Sequence, residues 1–178
     1  MSKFKFIDLF SGIGGFRIPL EKLGGKCVAY SEIDKHAIDV YRKNFDTNNE
    51  TFLGDITKVK KTPKADLIVG GVPCQAWSVA GKKKGFDDPR GKLWKDTIRL
   101  IRINKPKTFI FENVKGLYDP RNKSSLDLII KEFKKCGYDV FHKVLNAYDF
   151  GLPQNRDRLF IVGIKKHKNN NFSFPNPV

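Results

Sequence analysis

The stretch that decides the fold reads Phe6-Ile7-Asp8-Leu9-Phe10-Ser11-Gly12-Ile13-Gly14-Gly15-Phe16, near the start of the chain. An apolar run that ends in a glycine-rich turn and continues into a helical pattern predicts a β-strand, a tight connection and an α-helix. Glycines in such a turn allow a ligand to approach the backbone closely at the carboxyl end of the strand. The glycines are spaced GxGG rather than GxGxxG, so the pyrophosphate-binding fingerprint of NAD enzymes is not met.

Short apolar stretches alternate with helical patterns along the following hundred or so residues. The predicted strands are 5–10, 27–30, 51–53, 67–69 and 108–111, and the predicted helices are 14–23, 35–44, 93–103 and 126–136. Several of these strands are almost entirely apolar, which is typical of strands buried on both faces of a parallel sheet. Ser124 is predicted to cap the last helix and Gly137 to end it. The alternation predicts an α/β fold with a doubly wound, mostly parallel sheet.

The pattern changes after this last helix. Two strand-like runs, 138–145 and 158–164, have no helix between them, so they are predicted to pair antiparallel as the final strands of the sheet. We expect residues 1–165 to form one catalytic and cofactor-binding domain, followed by a polar tail over 166–178.

The composition restricts the class of partner. Lys and Arg number 34 against 19 Asp and Glu, a net charge of +15, which favours a polyanionic partner such as nucleic acid, although a lysine-rich surface can also be merely solvated. No signal peptide and no apolar run of membrane-spanning length is visible. The three cysteines form no CxxC pair, which argues against a disulfide framework or a zinc site. A reducing, cytoplasmic setting is the simplest expectation.

Two acidic residues follow the second and third predicted strands. Glu32 lies 20 residues after Gly12, at the position where an acid receives ribose hydroxyls in nucleotide-binding α/β folds. Asp55 follows the next strand and can accept a hydrogen bond from an adenine amino group. A glycine turn with acids but without a phosphate clamp suits a nucleoside that carries a cationic group, such as S-adenosyl-L-methionine. The alternative is that the turn is only a tight connection.

A third segment, Gly70-Gly71-Val72-Pro73-Cys74-Gln75, follows the fourth predicted strand. A cysteine at the carboxyl end of such a strand faces the usual ligand crevice. Residues 75–92 form a long, basic loop with interleaved aromatic residues and glycines, which suits closure over a nucleic-acid backbone. Cys27 and Cys136 are instead predicted to be core residues, because a free cysteine usually behaves as a small buried hydrophobe.

Charged residues adjoin the last two strands of the predicted core. Glu112 closes the apolar run 108–111, and it is either a functional acid at the crevice edge or a cap for the next turn. Arg156 and Arg158 stand two positions apart at the start of a strand, so they share one face. Such a pair can bind a carboxylate or carbonyl oxygen, or it can form a surface ion pair with Asp149 or Asp157.

Together these segments resemble the DNA cytosine-5 methyltransferase family, and the match runs from residue 6 to residue 164. The motifs are DLFSGIGG at 8–15, PCQ at 73–75, ENV at 112–114 and QxRxR at 154–158, in this order. The segments 84–91 and 143–147 are similar to the bacterial restriction–modification members. The tRNA-methylating branch shares PCQ and ENV, but its Cys-Phe-Thr signature is absent, which favours DNA as the substrate.

The resemblance implies a covalent mechanism on a flipped-out cytosine. By this resemblance Cys74 is the nucleophile that adds to C6, protonated Glu112 hydrogen-bonds the base at N3, and Arg156 and Arg158 orient the base and the acid. It also implies which residues form the S-adenosyl-L-methionine pocket: Phe10, Gly12, Ile13, Gly14, Glu32, Ile33, Asp55, Pro73 and Leu93.

The chain departs from the family in one large respect. Family members continue past QxRxR into a target-recognition region and two late motifs, and the last of these folds back beside the first strand. We therefore expect that a second polypeptide, or a missing carboxyl-terminal half, is needed for full activity. A subunit of a split enzyme, a disrupted gene product and a truncated chain all remain open. The rival hypothesis is a non-catalytic remnant that still binds nucleic acid or a partner.

Overall fold

The computed structural model describes residues 2–73, 93–167 and 171–178. The strands within these ranges are β1 (Phe4–Leu9), β2 (Gly25–Ser31), β3 (Thr51–Phe52), β4 (Leu67–Gly71), β5 (Thr108–Val114), β6 (Tyr138–Asn146) and β7 (Asp157–Lys165). The helices are α1 (Arg17–Lys22), α2 (Lys35–Asn44), α3 (Leu93–Asn104) and α4 (Lys123–Lys135). Short 3-10 turns cover Ile56–Lys58, Lys115–Tyr118, Pro120–Asn122 and Ala147–Phe150.

The described strands form one sheet in the order β3-β2-β1-β4-β5-β7-β6. The pairs among β1 to β5 are all parallel, whereas β7 runs antiparallel to both β5 and β6. The predicted doubly wound, mostly parallel sheet with an antiparallel final strand is confirmed. In such a sheet the carboxyl ends of the parallel strands meet along one edge, where ligands bind.

Helices cover the two faces of the sheet, and alternate residues of each strand serve the two cores. In β5, Phe109 and Phe111 belong to the larger core together with α3 and α4, while Ile110 faces the smaller one beneath α1 and α2. Aromatic rings fill the larger core: Phe111 lies 5.9 Å from Trp94 and 5.8 Å from Phe133, centroid to centroid. Burial of each large apolar side chain stabilises the folded state by roughly 1.5–3 kcal/mol, so this cluster holds β5 and the residues that follow it in place.

Three predicted details differ in the structure. Helix α4 begins at Lys123, directly after the 3-10 turn whose first N–H groups are capped by Asp119, so Ser124 lies inside the helix and is not its cap. Helix α1 begins only at Arg17, because Gly14 has a φ of +98° that no helix accommodates. Strand β5 continues to Val114, since antiparallel pairing with β7 extends it beyond the apolar run.

The carboxyl-terminal residues contact the outer part of the sheet. The half-buried ring of Phe172 lies 5.1 Å from that of Phe141 on β6, and Phe174 packs edge-on against Phe172 at 5.1 Å. The backbone N–H of Val178 donates to the carbonyl of Asp149 at 3.0 Å. The division into a domain over 1–165 and a tail stays a prediction, but the aromatic residues of the tail pack on the domain. Among the described helices, none has the length and apolarity that crossing a membrane requires.

Candidate functional site

A cleft of about 180 Å³ lies at the carboxyl edge of the parallel strands, close to the glycine turn after β1. Because sites for whole drug-sized ligands span roughly 300–1,000 Å³, the cleft accommodates one end of such a ligand. Most of the predicted cofactor residues line it, together with three that the sequence did not single out. The lining comprises Phe10, Ser31, Glu32, Ile33, Asp55, Ile56, Gly71, Pro73 and Leu93.

Glu32 connects the cleft to the glycine turn. One carboxylate oxygen, Oε2, accepts a hydrogen bond from the backbone N–H of Gly12 at 2.9 Å. The other, Oε1, accepts from the N–H groups of Ile33 at 2.8 Å and Asp34 at 3.1 Å. Each carboxylate oxygen has two lone-pair directions, so Glu32 is fixed in place by the backbone while Oε2 can still accept from a ligand hydroxyl.

The residues of the glycine turn differ in backbone conformation and in surroundings. Phe10 has a φ of +52°, a left-handed conformation that is uncommon for a non-glycine residue and that clusters at functional sites. Gly12 has a φ of +54° and faces open space, because a Cβ there would have no heavy atom within 4 Å. Gly14 instead faces the ring of Phe45, which such a Cβ would meet at 2.3 Å. Ile13 is exposed; like the two glycines, it does not line the cleft.

Asp55 lies on the opposite wall of the cleft, at the start of the 3-10 turn. Its Oδ1 accepts from the hydroxyl of Thr57 at 2.8 Å and from the N–H of the same residue at 2.9 Å. These hydrogen bonds, the side-chain one first, hold the pKa of Asp55 below its ordinary value. The second oxygen, Oδ2, lies 3.9 Å from the Lys58 ammonium, so Asp55 is a charged acceptor with capacity for a further donor.

Strands β4 and β5 are parallel neighbours and end side by side next to the cleft. Gly71 pairs with Glu112, and a Cβ on this glycine would meet Glu112 Oε2 at 3.3 Å. The fully buried Asn113 donates from Nδ2 to the carbonyl of Val72 at 3.1 Å. Asn113 was not predicted to have a role, although an amide in a largely apolar strand is a signal, because buried polar groups need hydrogen-bond partners. The predicted acid is thus linked to the segment that leads to Cys74.

Glu112 is held by one of the two predicted arginines. Arg158 Nε lies 2.5 Å from Glu112 Oε1, and both side chains are about three-quarters buried. This short, charge-assisted contact fixes the carboxyl group at the edge of the sheet. Arg156 precedes β7 and its side chain is exposed, so the structure brings Arg158 and Glu112 together and leaves Arg156 at the surface. Asp157, one of the alternative ion-pair partners, instead pairs with Lys115 at 2.9 Å.

The three cysteines fall into different settings. Cys74 and the basic loop over 75–92 lie outside the described residues. Cys27 is buried, and desolvation raises the pKa of its thiol to about 12, so no thiolate forms there near neutral pH. Cys136 is partly buried and packs against the larger core. The structure places Cys27 and Cys136 in or beside the core, as the sequence predicted.

Fold and edge geometry together define a class: the sheet order and the cleft are those of the S-adenosylmethionine-dependent methyltransferase fold. The chain belongs to the C-5 cytosine-specific DNA methylase family, whose sequence model matches residues 4–178. It is 60% identical over 177 residues to the type II methyltransferase M.HgiBI of Herpetosiphon aurantiacus, covering 98% of this chain and 40% of that protein. It is 44% identical over 176 residues to M.HhaI of Haemophilus parahaemolyticus, covering 97% of this chain and 53% of that one.

Solved structures agree with this assignment. A DNMT2 variant from Spodoptera frugiperda superimposes with a TM-score of 0.75 at 26% sequence identity, over 94% of this chain and 52% of that one. The curated relatives named here are all longer: the chain spans about half their length or less.

Proposed function

We propose that this chain provides the catalytic part of an enzyme that transfers a methyl group from S-adenosyl-L-methionine to C5 of cytosine in DNA. The observation that carries the proposal is the Arg158–Glu112 ion pair beside Gly71, three residues before Cys74. It puts a carboxyl group with a fixed orientation next to the segment that bears the proposed nucleophile. Intact motifs at all four positions favour this function over a non-catalytic remnant.

The proposed reaction begins with the Cys74 thiolate, which forms a bond to C6 of the cytosine and makes C5 nucleophilic. Glu112 keeps its contact with Arg158 through Oε1 and, protonated on Oε2, donates a hydrogen bond to N3 and stabilises the charge that develops on the ring. C5 takes the methyl group as its bond to the donor's sulfonium breaks, which leaves S-adenosyl-L-homocysteine. A base then removes the C5 proton, and elimination of the Cys74 thiolate from C6 restores the ring. Because C6 is unreachable in a stacked duplex, the nucleotide must turn out of the helix.

The residues of the cleft fit S-adenosyl-L-methionine, which supplies the electrophilic methyl group when bound. Glu32 can accept ribose hydroxyls, because its carboxylate is already oriented by the Gly12 N–H. Asp55 can accept from the adenine amino group through Oδ2, and Ile33 and Leu93 give the cleft apolar walls. Open space in front of Gly12 leaves its backbone accessible to the ligand.

We further propose that methyl transfer at a defined DNA site requires the region that the longer relatives carry beyond the matched part. Base-edge contacts specify a sequence, whereas phosphate contacts only position the protein. A second polypeptide, or a continuous longer chain, can supply that region.

The test is covalent capture on DNA that contains 5-fluorocytosine, in which fluorine replaces the proton that must leave C5. The chain is mixed with, or fused to, the unmatched portion of M.HgiBI, and S-adenosyl-L-methionine is added. We expect a stable protein–DNA adduct at a defined site. Cys74→Ser abolishes the adduct, while Cys27→Ser and Cys136→Ser serve as matched controls and retain it. An adduct that persists in the Cys74→Ser variant refutes the assignment of the nucleophile.

A further inference from the structure

Asn146, the last residue of β6, lies at the centre of a hydrogen-bond network beside the arginine segment. Its Oδ1 accepts from the backbone N–H groups of Tyr148 at 3.0 Å and Arg156 at 3.2 Å. Its Nδ2 donates to Asn155 Oδ1 at 2.7 Å and to Asp157 Oδ1 at 3.0 Å. An asparagine side chain offers two donors and two acceptor lone pairs, so all of its hydrogen-bonding capacity is used.

We propose that Asn146 is a positioning residue, which fixes the backbone at Arg156 and thereby sets the contact between Arg158 and Glu112. The inference rests on the proposed function for its catalytic meaning, but the geometry it describes can be measured without catalysis. No chemical role was predicted for Asn146 from the sequence. It acts through the segment that it holds and is not itself placed in contact with the reacting atoms.

The backbone of Arg156 is held from both sides. Its N–H donates to Asn146 Oδ1, and its carbonyl accepts from the N–H of Ala147 at 3.1 Å. Antiparallel pairing of β6 and β7 then starts directly, with Asn146 opposite Asp157. The Arg158 side chain therefore leaves a strand whose first residues have a defined position, two residues after the anchored Arg156.

A second arm of the network reaches β5. Asp157 binds Asn146 through Oδ1 and the Lys115 ammonium through Oδ2 at 2.9 Å. Lys115 directly follows β5, the strand that carries Glu112. The hydrogen bond from the Lys115 ammonium, the largest of several causes, lowers the pKa of Asp157, which keeps this carboxyl group charged. Asn146 thus ties the start of β7 to the end of β5, on both sides of the ion pair.

The ion pair needs such a support. The contact joins two long side chains that keep about a quarter of their surface exposed, and their ordering offsets part of its free energy, so its geometry also depends on how the two strands are held. Short, well-aligned contacts of catalytic groups depend on neighbours that restrict them. Strand pairing holds Arg158 between Val114 and Leu145, and the Asn146 network adds contacts at the residues that directly precede it, where the pairing begins.

The test uses the 178-residue chain and the NMR signal of the Arg158 Nε–H group, assigned with the Arg158→Lys variant. A Nε–H bound to a carboxylate exchanges slowly with water. We expect Asn146→Ala to speed this exchange roughly two- to tenfold, the range that corresponds to one lost hydrogen bond. Glu112→Gln is the positive control, because it removes the charged acceptor directly.

The matched control is Asn104→Ala. Asn104 is a buried asparagine whose Nδ2 donates to Thr62 Oγ1 at 2.8 Å and to the carbonyl of Pro63 at 2.6 Å, away from the ion pair. Its loss should lower stability and leave the Arg158 signal unchanged. If Asn104→Ala alters the Arg158 signal as much as Asn146→Ala does, the effect is general loosening of the fold and the proposal fails.

Asn146→Asp separates the two arms of the network. It keeps an acceptor for the Arg156 N–H but places a carboxylate against Asp157, so we expect the Arg156 amide to stay protected while Arg158 Nε–H exchange rises. An unchanged Arg158 signal in both folded variants overturns the proposal, and so does loss of folding in both, which assigns Asn146 a purely structural role. The Cys74 adduct is measured on the chain with Asn146 intact, so both of these outcomes leave the test of the proposed function unaffected.

Discussion

Glu32 illustrates how a single carboxylate can serve the fold and a ligand together. The sequence predicted its place after the second strand from its distance to Gly12, and the structure adds the reason for that spacing: the Gly12 N–H is bound by the carboxylate. Asn113 and Asn146 could not be assigned from the sequence, since their roles depend on partners 41 and 11 residues away.

Replacement of Glu32 by alanine is predicted to weaken S-adenosyl-L-methionine binding by about 1–3 kcal/mol, because a hydrogen bond to a charged group is lost. The measurement is calorimetry on the chain supplied with the remaining portion of M.HgiBI. Asp34→Ala is the control: Asp34 caps α2 through the Ala37 N–H and does not line the cleft. Equal losses of affinity in the two variants, or equal affinity for NAD, would contradict the assignment.

Asp8 predicts a dependence of stability on pH. Burial raises its pKa from 3.8 to about 8, although the Tyr41 hydroxyl donates to it at 3.2 Å. Between these values the unfolded chain releases the proton and the folded chain keeps it. The contribution of Asp8 to stability is therefore complete below the unfolded pKa and falls as pH rises towards 8, by at most about 1.4 kcal/mol per pH unit.

The comparison is urea unfolding of the wild type and Asp8→Asn at about pH 5 and about pH 7.5, within the window in which only the unfolded state is ionised. The variant should be relatively more stable at the higher pH, because an amide stays neutral and can still accept from Tyr41. Burial also raises the pKa of Glu50. Its contribution to the pH dependence is the same in both proteins and cancels in the difference. Parallel pH profiles would refute the explanation.

At the scale of elements, the apolar pattern was sufficient to predict the sheet and its helices, because the central strands β1 and β4 are almost entirely buried. Helix α2 and the start of β6 fall where the sequence put them. Boundaries set by tertiary contacts were not predictable: β5 is extended to Val114 by pairing with β7, and the start of α4 is set by the capped 3-10 turn before it. For the site, the cleft was predictable from strand ends, whereas the exposure of Arg156 was not.

The glycine turn before α1 gives a prediction for this scale. Gly14→Ala should destabilise the fold by about 1–3 kcal/mol, because the left-handed backbone is strained and the added methyl group overlaps the Phe45 ring. Gly15→Ala is the matched control: its Cβ has nothing within 4 Å, so it should be neutral or slightly stabilising. Thermal unfolding measures the stability of the two variants. A similar loss of stability in both would show that overlap with the Phe45 ring is not the cause.

At the scale of the whole molecule, the net charge of +15 dominates encounters with DNA. We expect the 178-residue chain alone to bind duplex DNA weakly, with log K falling linearly in log salt as counterions are released. Affinities for duplexes of unrelated sequence should agree, since phosphate contacts carry no sequence information. Fluorescence anisotropy over a salt series tests this, and a marked preference for one sequence by the chain alone would contradict it.

The sheet order has a consequence for the time course of folding. Strand β1 lies between β2 and β4, and its pairing of Phe6 with Leu67 closes a loop of some sixty residues, which costs more chain entropy than a short loop. The β6–β7 hairpin, by contrast, closes between Asn146 and Asp157, and local pairings of this kind form fastest. When the complete chain refolds from denaturant, we therefore expect the hairpin beside Arg158 to form before β1 pairs with β4, so that the cleft at the end of these two strands is assembled after the hairpin.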